Sequence, residues 1–278
     1  MSLQSYLKKK SQRIDEALDA YLPKKRELPF SLHEAMRYAV FSGGKRVRPV
    51  LALAACEAVG GNEKDAMPAA CALELIHNYS LVHDDLPCMD DDDTRRGRPA
   101  CHRKFGEMTA VLAGDALLTL AFQLLNSTNG SAFLKEGRKR LEVARLIAEA
   151  VGSRGMVGGQ AVDMEFQSKE LNLPTIEYIN THKSGALIAV SARAGAILGG
   201  GTARQVESLY RYGKSLGLLF QIIDDILDRE GYAEVIGMHE AGKEAERLLE
   251  KAKKELAVFG FKGRILGEIA DFVFTRKH

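Results

Sequence analysis

The sequence predicts an all-α fold, and three observations carry that prediction. Apolar residues recur at three- and four-residue spacing from end to end, alternation over four or more residues is hard to find, and the interruptions fall on glycine, proline and asparagine. The interruptions stand at Pro23 to Pro29, Gly43-Gly44, Gly60-Gly61, Pro87, Asn126 to Ser131, Gly152 to Gly159, Asn172 to Pro174, Gly199 to Gly201, Gly231 and Gly260, which leaves about ten helices. No Pro/Ser-rich or low-complexity tract separates two halves and no fixed period repeats, so residues 1–278 read as one large helical bundle.

The chain opens with Leu3 to Lys10 already studded with lysine, which is not the pattern of a secretory leader. Cys56, Cys71, Cys88 and Cys101 are 15, 17 and 13 residues apart, matching neither a zinc site nor a redox pair, so a reducing, cytoplasmic setting is expected. With 39 Lys+Arg against 37 Asp+Glu the net charge is +2, which speaks against a nucleic-acid binder. An apolar fraction of 46% and a charged fraction of 27% exclude disorder and fibrous rods. The most apolar runs, such as Ala186 to Gly201 with Arg193 inside it, are interrupted before about 18 residues, so no membrane span is expected.

Taken in order, the first segment with chemical character is Gly43-Gly44-Lys45-Arg46-Val47-Arg48-Pro49. A glycine helix stop is followed there by three cations just ahead of a new helix, a natural seat for a phosphate. It is not a Walker A loop, for no strand precedes it and Arg46, not Ser or Thr, follows Lys45. Next, the apolar stretch Ala69 to Val82 runs into Asp84, Asp85, Asp90, Asp91, Asp92 and Asp93, six carboxylates within ten residues. Pro87 cannot donate to the carbonyl of His83, so the helix should end near there. In an unbroken helix Asp84 and Asp90 would lie about 240° apart, and only the break can return Asp90 toward Asp84. His77 precedes Asp84 by two turns on the same face.

Three later stretches, Thr109 to Leu125, Ser184 to Leu198 and Leu216 to Leu227, look apolar nearly all round and should be core helices. On the last of them Gln221, Asp224, Asp225 and Asp228 stand at i, i+3, i+4 and i+7, one acidic seam on a helix otherwise of Leu, Phe and Ile. Carboxylates so close repel one another unless a cation lies between them. Oxygen-only donors favour a hard ion such as Mg²⁺, completed by water and substrate phosphate. An EF-hand does not fit, because the Asp90 to Asp93 run lacks the required spacing. The two acidic segments therefore read as two sides of one metal-diphosphate clamp. Basic residues stand near both: Arg95-Arg96 after the first, and Lys183 in Thr181-His182-Lys183-Ser184-Gly185 at the start of a core helix.

Together, Asp84-Asp85-Leu86-Pro87-Cys88-Met89-Asp90 with Arg95-Arg96-Gly97-Arg98-Pro99, Phe220-Gln221-Ile222-Ile223-Asp224-Asp225-Ile226-Leu227-Asp228 and the Gly43 to Pro49 segment resemble the trans-isoprenyl (polyprenyl) diphosphate synthases. The resemblance runs in order from about Leu32 to the C-terminus. It implies an all-α isoprenoid-synthase bundle around a deep central cavity, normally a homodimer, that joins an allylic diphosphate to isopentenyl diphosphate. It further implies three Mg²⁺ ions per site, with Mn²⁺ as the alternative, held by Asp84, Asp90 and Asp224 with Asp85 and Asp228 adjoining, and Asp225 among the catalytic group. Lys45, Arg48, His77 and Arg96 would hold isopentenyl diphosphate. Arg95, Lys183, Ser184 and Gln221 would lie on the allylic side, Ser184 keeping the hydroxyl of the usual Thr. Gln160 and Asp163 match another segment near the cavity. Tyr79, five residues before Asp84, would cap the growing chain, an aromatic placement similar to that of bacterial farnesyl diphosphate synthases, so a C15 product is expected.

Other readings explain less. A geranylgeranyl product stays within the family. An HD-type phosphohydrolase would use His83-Asp84 but leaves the Asp224 to Asp228 seam unused, and a terpene cyclase leaves Lys45, Arg48 and His77 idle. A ferritin-like bundle needs two ExxH pairs where only Glu74 to His77 fits. One departure from the family stands out: its Gly-, Lys- and Asp-rich loop, with a diphosphate-binding Lys, is missing between Asp228 and Tyr232. Either it is deleted, or residues of a mobile lid are lacking from the chain as written; the gating role of such loops favours the second.

Overall fold

The computed structural model describes residues 2–126, 133–167 and 172–276. Among them the chain runs through α1 (Leu3–Tyr21), α2 (Phe30–Val40), α3 (Val47–Ala58) and α4 (Glu63–Asp84) to a hairpin of β1 (Thr94–Arg95) and β2 (Arg98–Pro99). It continues as α5 (Cys101–Phe105), α6 (Glu107–Asn126), α7 (Phe133–Val151), α8 (Met156–Phe166) and α9 (Leu173–Ile179), then a π-helical turn (Asn180–Gly185) leading into α10 (Ala186–Leu198). Last come α11 (Ala203–Asp228), α12 (Gly231–Ile236), α13 (Met238–Glu255), a 3-10 segment (Leu256–Gly263) and α14 (Arg264–Thr275). Eleven of these helices have 11 residues or more, close to the ten expected. Backbone contacts group the described residues into two compact units, 1–50 with 67–133 and 51–66 with 134–278.

In the first unit α1 buries Tyr6, Lys10, Ile14 and Leu18, a strict four-residue spacing that lays one stripe inward, and the Ser2 hydroxyl caps its start by accepting from the Ser5 amide at 3.3 Å. Across Cys71 to Ile76 every residue of α4 is buried. The charge among them, Glu74, is answered by Arg46 at 2.7 Å, which also bonds Asp15 at 2.9 Å and the Val40 carbonyl at 2.7 Å. Loss of either partner would strand a buried charge, a cost of about 3–5 kcal/mol.

The second unit is built on α10 and α11. Eleven of the thirteen residues of α10 are buried, and Arg193 is one of the two exceptions. A capping box between Thr202 and Gln205 starts α11. Tyr212, fully buried on α11, donates to the Leu266 carbonyl of α14 at 2.7 Å. Gly217 lets α11 cross the π-helical turn backbone to backbone, since a Cβ there would lie 2.8 Å from the Gly185 Cα.

Four expectations need correction. The hairpin is a strand pairing that the sequence did not signal: it is two residues long on each side and turns through Arg96 and Gly97, both at positive φ, where an arginine is a poor predictor. The break at Gly152 to Gly159 is narrower than expected, because α8 begins at Met156 and takes Gly158 and Gly159 inside it. Most of the interruption after Asn126 lies outside the described residues. Helix α6 is not buried all round: Met108, Val111 and Leu112 are 73%, 40% and 47% exposed on one stripe. That helix is also long and apolar enough, by length and composition, to cross a bilayer, contrary to expectation, although it packs on α2 and α5 of its own unit.

The fourth correction concerns the chain after Asp228, which is continuous. Arg229 takes a left-handed conformation (φ 61°) that closes α11, Glu230 donates its amide to the Asp225 carbonyl at 3.0 Å, and α12 starts at the next residue. With only Arg229, Glu230 and Gly231 between Asp228 and Tyr232, this chain has no counterpart of the family's loop.

Candidate active site

The first acidic segment folds as the Pro87 argument requires. Helix α4 ends at Asp84, the Leu86 amide bonds the His83 carbonyl at 3.2 Å, and Met89 and Asp91 close on the Leu86 carbonyl at 2.9 and 3.1 Å. The chain thereby doubles back, and the Asp90 amide donates to the Asp84 carbonyl at 2.9 Å. Asp84 and Asp90 become backbone neighbours, both half-buried.

Asp85 is only 2% exposed, and its carboxylate is held by the guanidinium of Arg95, whose Nε lies 2.8 Å away and which reaches Asp92 at 2.9 Å as well. Burial pushes the Asp85 carboxyl above its usual range, while Arg95 pulls in the opposite direction. His83 takes a structural part: its imidazole bonds the Val111 carbonyl at 3.0 Å and fills the space a side chain at Gly114 would need. That leaves it no role in an HD-type metal site.

The hairpin turn carries Arg96 to the glycine stop, where it bonds the Gly43 carbonyl. Gly44 sits at φ +121°, and a Cβ there would lie 2.8 Å from the Arg96 Cζ, so glycine is required twice over. Of the three cations in that segment, Arg46 is consumed by the core pair with Glu74, Lys45 is exposed, and Arg48 keeps a buried Nε with no hydrogen-bond partner. His77 lies in the field of Arg48 and Arg96; burial first, and those guanidinium groups second, hold its imidazole well below its usual pKa. The imidazole is neutral at pH 7, beside cations that lack a full set of partners. Tyr79 is buried one turn above Asp84, edge-on to His83 with ring centroids 5.7 Å apart.

In the second unit the seam on α11 divides by partner. Asp225 accepts from Asn180 Nδ2 at 3.1 Å and from the Tyr232 amide at 3.0 Å, and burial raises its pKa against those bonds. Asp224 is held by Arg276, whose guanidinium also bonds the Phe220 carbonyl at 2.8 Å and lies 3.8 Å from the centre of the Phe220 ring. Asp228 is exposed at the end of the helix. Lys183 projects from the π-helical turn onto Asp163 at 2.6 Å, and Ser184 and Gln221 are half-buried. Both polar atoms of the Gln160 amide are buried without a partner. Sequence reasoning missed Asn180, Tyr232 and Arg276. They lie 45, 7 and 52 residues from the aspartates they serve, and no local spacing points to them.

Among the described residues no three His, Cys, Asp or Glu side chains converge as a closed metal cage. What the end of α4 offers in one unit, and α11 in the other, is sparse: half-buried carboxylates, Asp84 with Asp90 and Asp224 with Asp225. Such a set fits Mg²⁺, which keeps its waters and completes its shell with phosphate oxygens, and does not fit zinc. Unpartnered Arg48 Nε and Gln160, buried in a folded protein, are groups of the kind a bound ligand satisfies.

Each unit carries half-buried carboxylates and a buried polar group without a partner, Arg48 Nε in the first and the Gln160 amide in the second, a chemistry suited to a phosphate and a hard metal ion, and the comparisons with known proteins agree. The family model for Polyprenyl synthetase matches residues 30–244. The chain is 48% identical over 237 residues to the farnesyl diphosphate synthase of Geobacillus stearothermophilus, covering 85% of this chain and 79% of that one. It is 45% identical over 277 residues to the heterodimeric geranylgeranyl pyrophosphate synthase large subunit 1 of Arabidopsis thaliana, covering 92% and 74%. The crystal structure of an FPP/GFPP synthase from Zymomonas mobilis superposes with a TM-score of 0.92 at 38% identity, covering 98% of this chain and 99% of the other. The chain belongs to the polyprenyl synthetase family and is a trans-prenyltransferase.

Proposed function

We propose that this chain condenses isopentenyl diphosphate with dimethylallyl or geranyl diphosphate, releasing pyrophosphate and giving mainly the C15 product, as a cytoplasmic homodimer using Mg²⁺. The observation that carries the reading is the fold-back that seats Asp90 against Asp84, on the helix that also bears His77 and Tyr79. Asp84, Asp90 and Asp224 are the leading metal ligands, with Asp228 adjoining. Asp85 and Asp225, already engaged by Arg95 and by Asn180 with Tyr232, serve from behind by fixing their neighbours.

Bound Mg²⁺ supplies positive charge to the departing pyrophosphate. The chain's own residues do the rest. Lys45, Arg48 and Arg96 hold the isopentenyl diphosphate head, with neutral His77 contributing a hydrogen bond. Arg95, Lys183, Ser184, Gln221 and Gln160 orient the allylic diphosphate, so that ionisation leaves an allylic cation shielded from water. The isopentenyl double bond attacks that cation, and the released pyrophosphate removes the proton. No protein nucleophile is required.

Product length is assigned to Tyr79, whose buried ring bounds the path of the growing chain. The second reading is a C20 product, favoured by the names of relatives such as the Arabidopsis subunit. Incubation with isopentenyl and geranyl diphosphates in Mg²⁺, followed by sizing of the products, separates the two. Tyr79→Ala should shift the distribution toward longer chains, and an unchanged profile refutes the ruler.

A further inference from the structure

Arg193, the one charge inside the apolar α10, has no part in the site above. Its Cζ lies 4.7 Å from the centre of the Tyr210 ring, and its Nε is buried with no hydrogen-bond partner. It lines a cavity of about 410 Å³ within the second unit, formed by α7, the π-helical turn, α10, α11 and α13. That volume is in the range of small-molecule sites, about 300–1,000 Å³.

The charge around this cavity is one-sided. Arg154, His182, Lys214, Arg247 and Lys251 line it together with Arg193, against a single acid, Glu149. Glu149 is drawn off by Arg145, and Arg247 is paired with Glu244 at 2.5 Å. Arg154, Arg193, Lys214 and Lys251 have no carboxylate partner among the described residues. Lys214 lies 5.7 Å from the same Tyr210 ring that carries Arg193, so two like charges share one aromatic ring. Surface cations are ordinarily interspersed with acids; convergence in a concave wall focuses a positive potential that an anion relieves. The floor is apolar, made of Leu146, Ala150, Val190, Leu218 and Leu248.

We propose that this cavity is a second binding site, separate from the acidic motifs, for a phosphate or diphosphate ester with a short apolar tail. The head is held by Arg193 and Lys214 and the tail lies on the Leu146 to Leu248 floor. The claim rests on the cavity alone and does not depend on the proposed product.

Titration calorimetry of the whole protein in EDTA, with geranyl diphosphate and separately with inorganic pyrophosphate, tests it. Wild type should bind one equivalent more than Arg193→Gln/Lys214→Gln, or bind it about tenfold more tightly for each cation removed, while turnover at saturating substrate stays unchanged. Tighter binding of geranyl diphosphate than of pyrophosphate in that equivalent supports the tail on the floor; equal affinity overturns it. Superimposable isotherms for wild type and variant overturn the site. Should Arg193→Gln disturb α10, the exposed substitutions Arg154→Glu and Lys251→Glu must produce the same loss. Retention of the extra equivalent by a chain that forms no prenyl product would defeat the proposed function and leave this site standing.

Discussion

At the scale of single residues, the site divides into groups that are already satisfied and groups that await something. Asp85, Asp225 and Arg46 have their partners; Arg48 and Gln160 keep buried polar atoms without them. Asp84→Ala or Asp224→Ala should lower kcat by at least about 10²-fold, the scale of losing a transition-state electrostatic group. Near-wild-type turnover in either would reject the metal assignment. His77 gives a pH signature. Its folded-state pKa lies well below the usual 6.5, so between those values the unfolded chain binds a proton that the folded chain excludes. Its contribution is fully present above about pH 6.5 and is lost as pH falls, by up to about 1.4 kcal/mol per unit. Urea denaturation from pH 7.5 to 5.5 should therefore show a steeper decline in wild type than in His77→Gln; parallel curves would contradict the assignment. The pairing of Asp90 with Asp84 was legible in advance because proline chemistry is local. The hold of Arg276 on Asp224 was not, since it joins residues 52 apart that share no pattern.

Among the elements, the π-helical turn and α11 depend on small residues more than on large ones. Gly217 meets Gly185, and Gly213 meets the Ala189 Cα; a Cβ on either glycine would fall 2.8 Å from the facing backbone. Gly217→Ala should destabilise the fold by about 1–3 kcal/mol through overpacking, read as a lower urea midpoint with an unchanged slope; an unaltered midpoint would mean that the helices can separate. Sequence periodicity revealed α10 well, because burial of eleven of its residues leaves an unmistakable apolar run. It misjudged α6, whose equally apolar sequence gives no hint of which side lacks a partner. The same blindness hid the hairpin, where Arg96 adopts a backbone conformation that arginine seldom takes.

For the whole molecule, the uncovered stripe of Met108, Val111 and Leu112 on α6 is the feature that a second copy of the chain would bury, in keeping with the proposed homodimer. Met108→Glu combined with Leu112→Glu should halve the mass measured by light scattering, and a monomeric wild type would remove the dimer from the proposal. The all-α class was readable from end to end, because helical spacing is a property of every segment; assembly was readable only by resemblance, because an exposed apolar stripe and a buried one are spelled alike. The joint between α11 and α12 has a practical consequence of its own. Arg229 and Glu230 are both exposed, and lengthening a loop costs only about 0.6 kcal/mol per doubling. This is consequently the natural port at which a grafted strap could be spliced beside the second acidic cluster, with both flanking helices left as they stand.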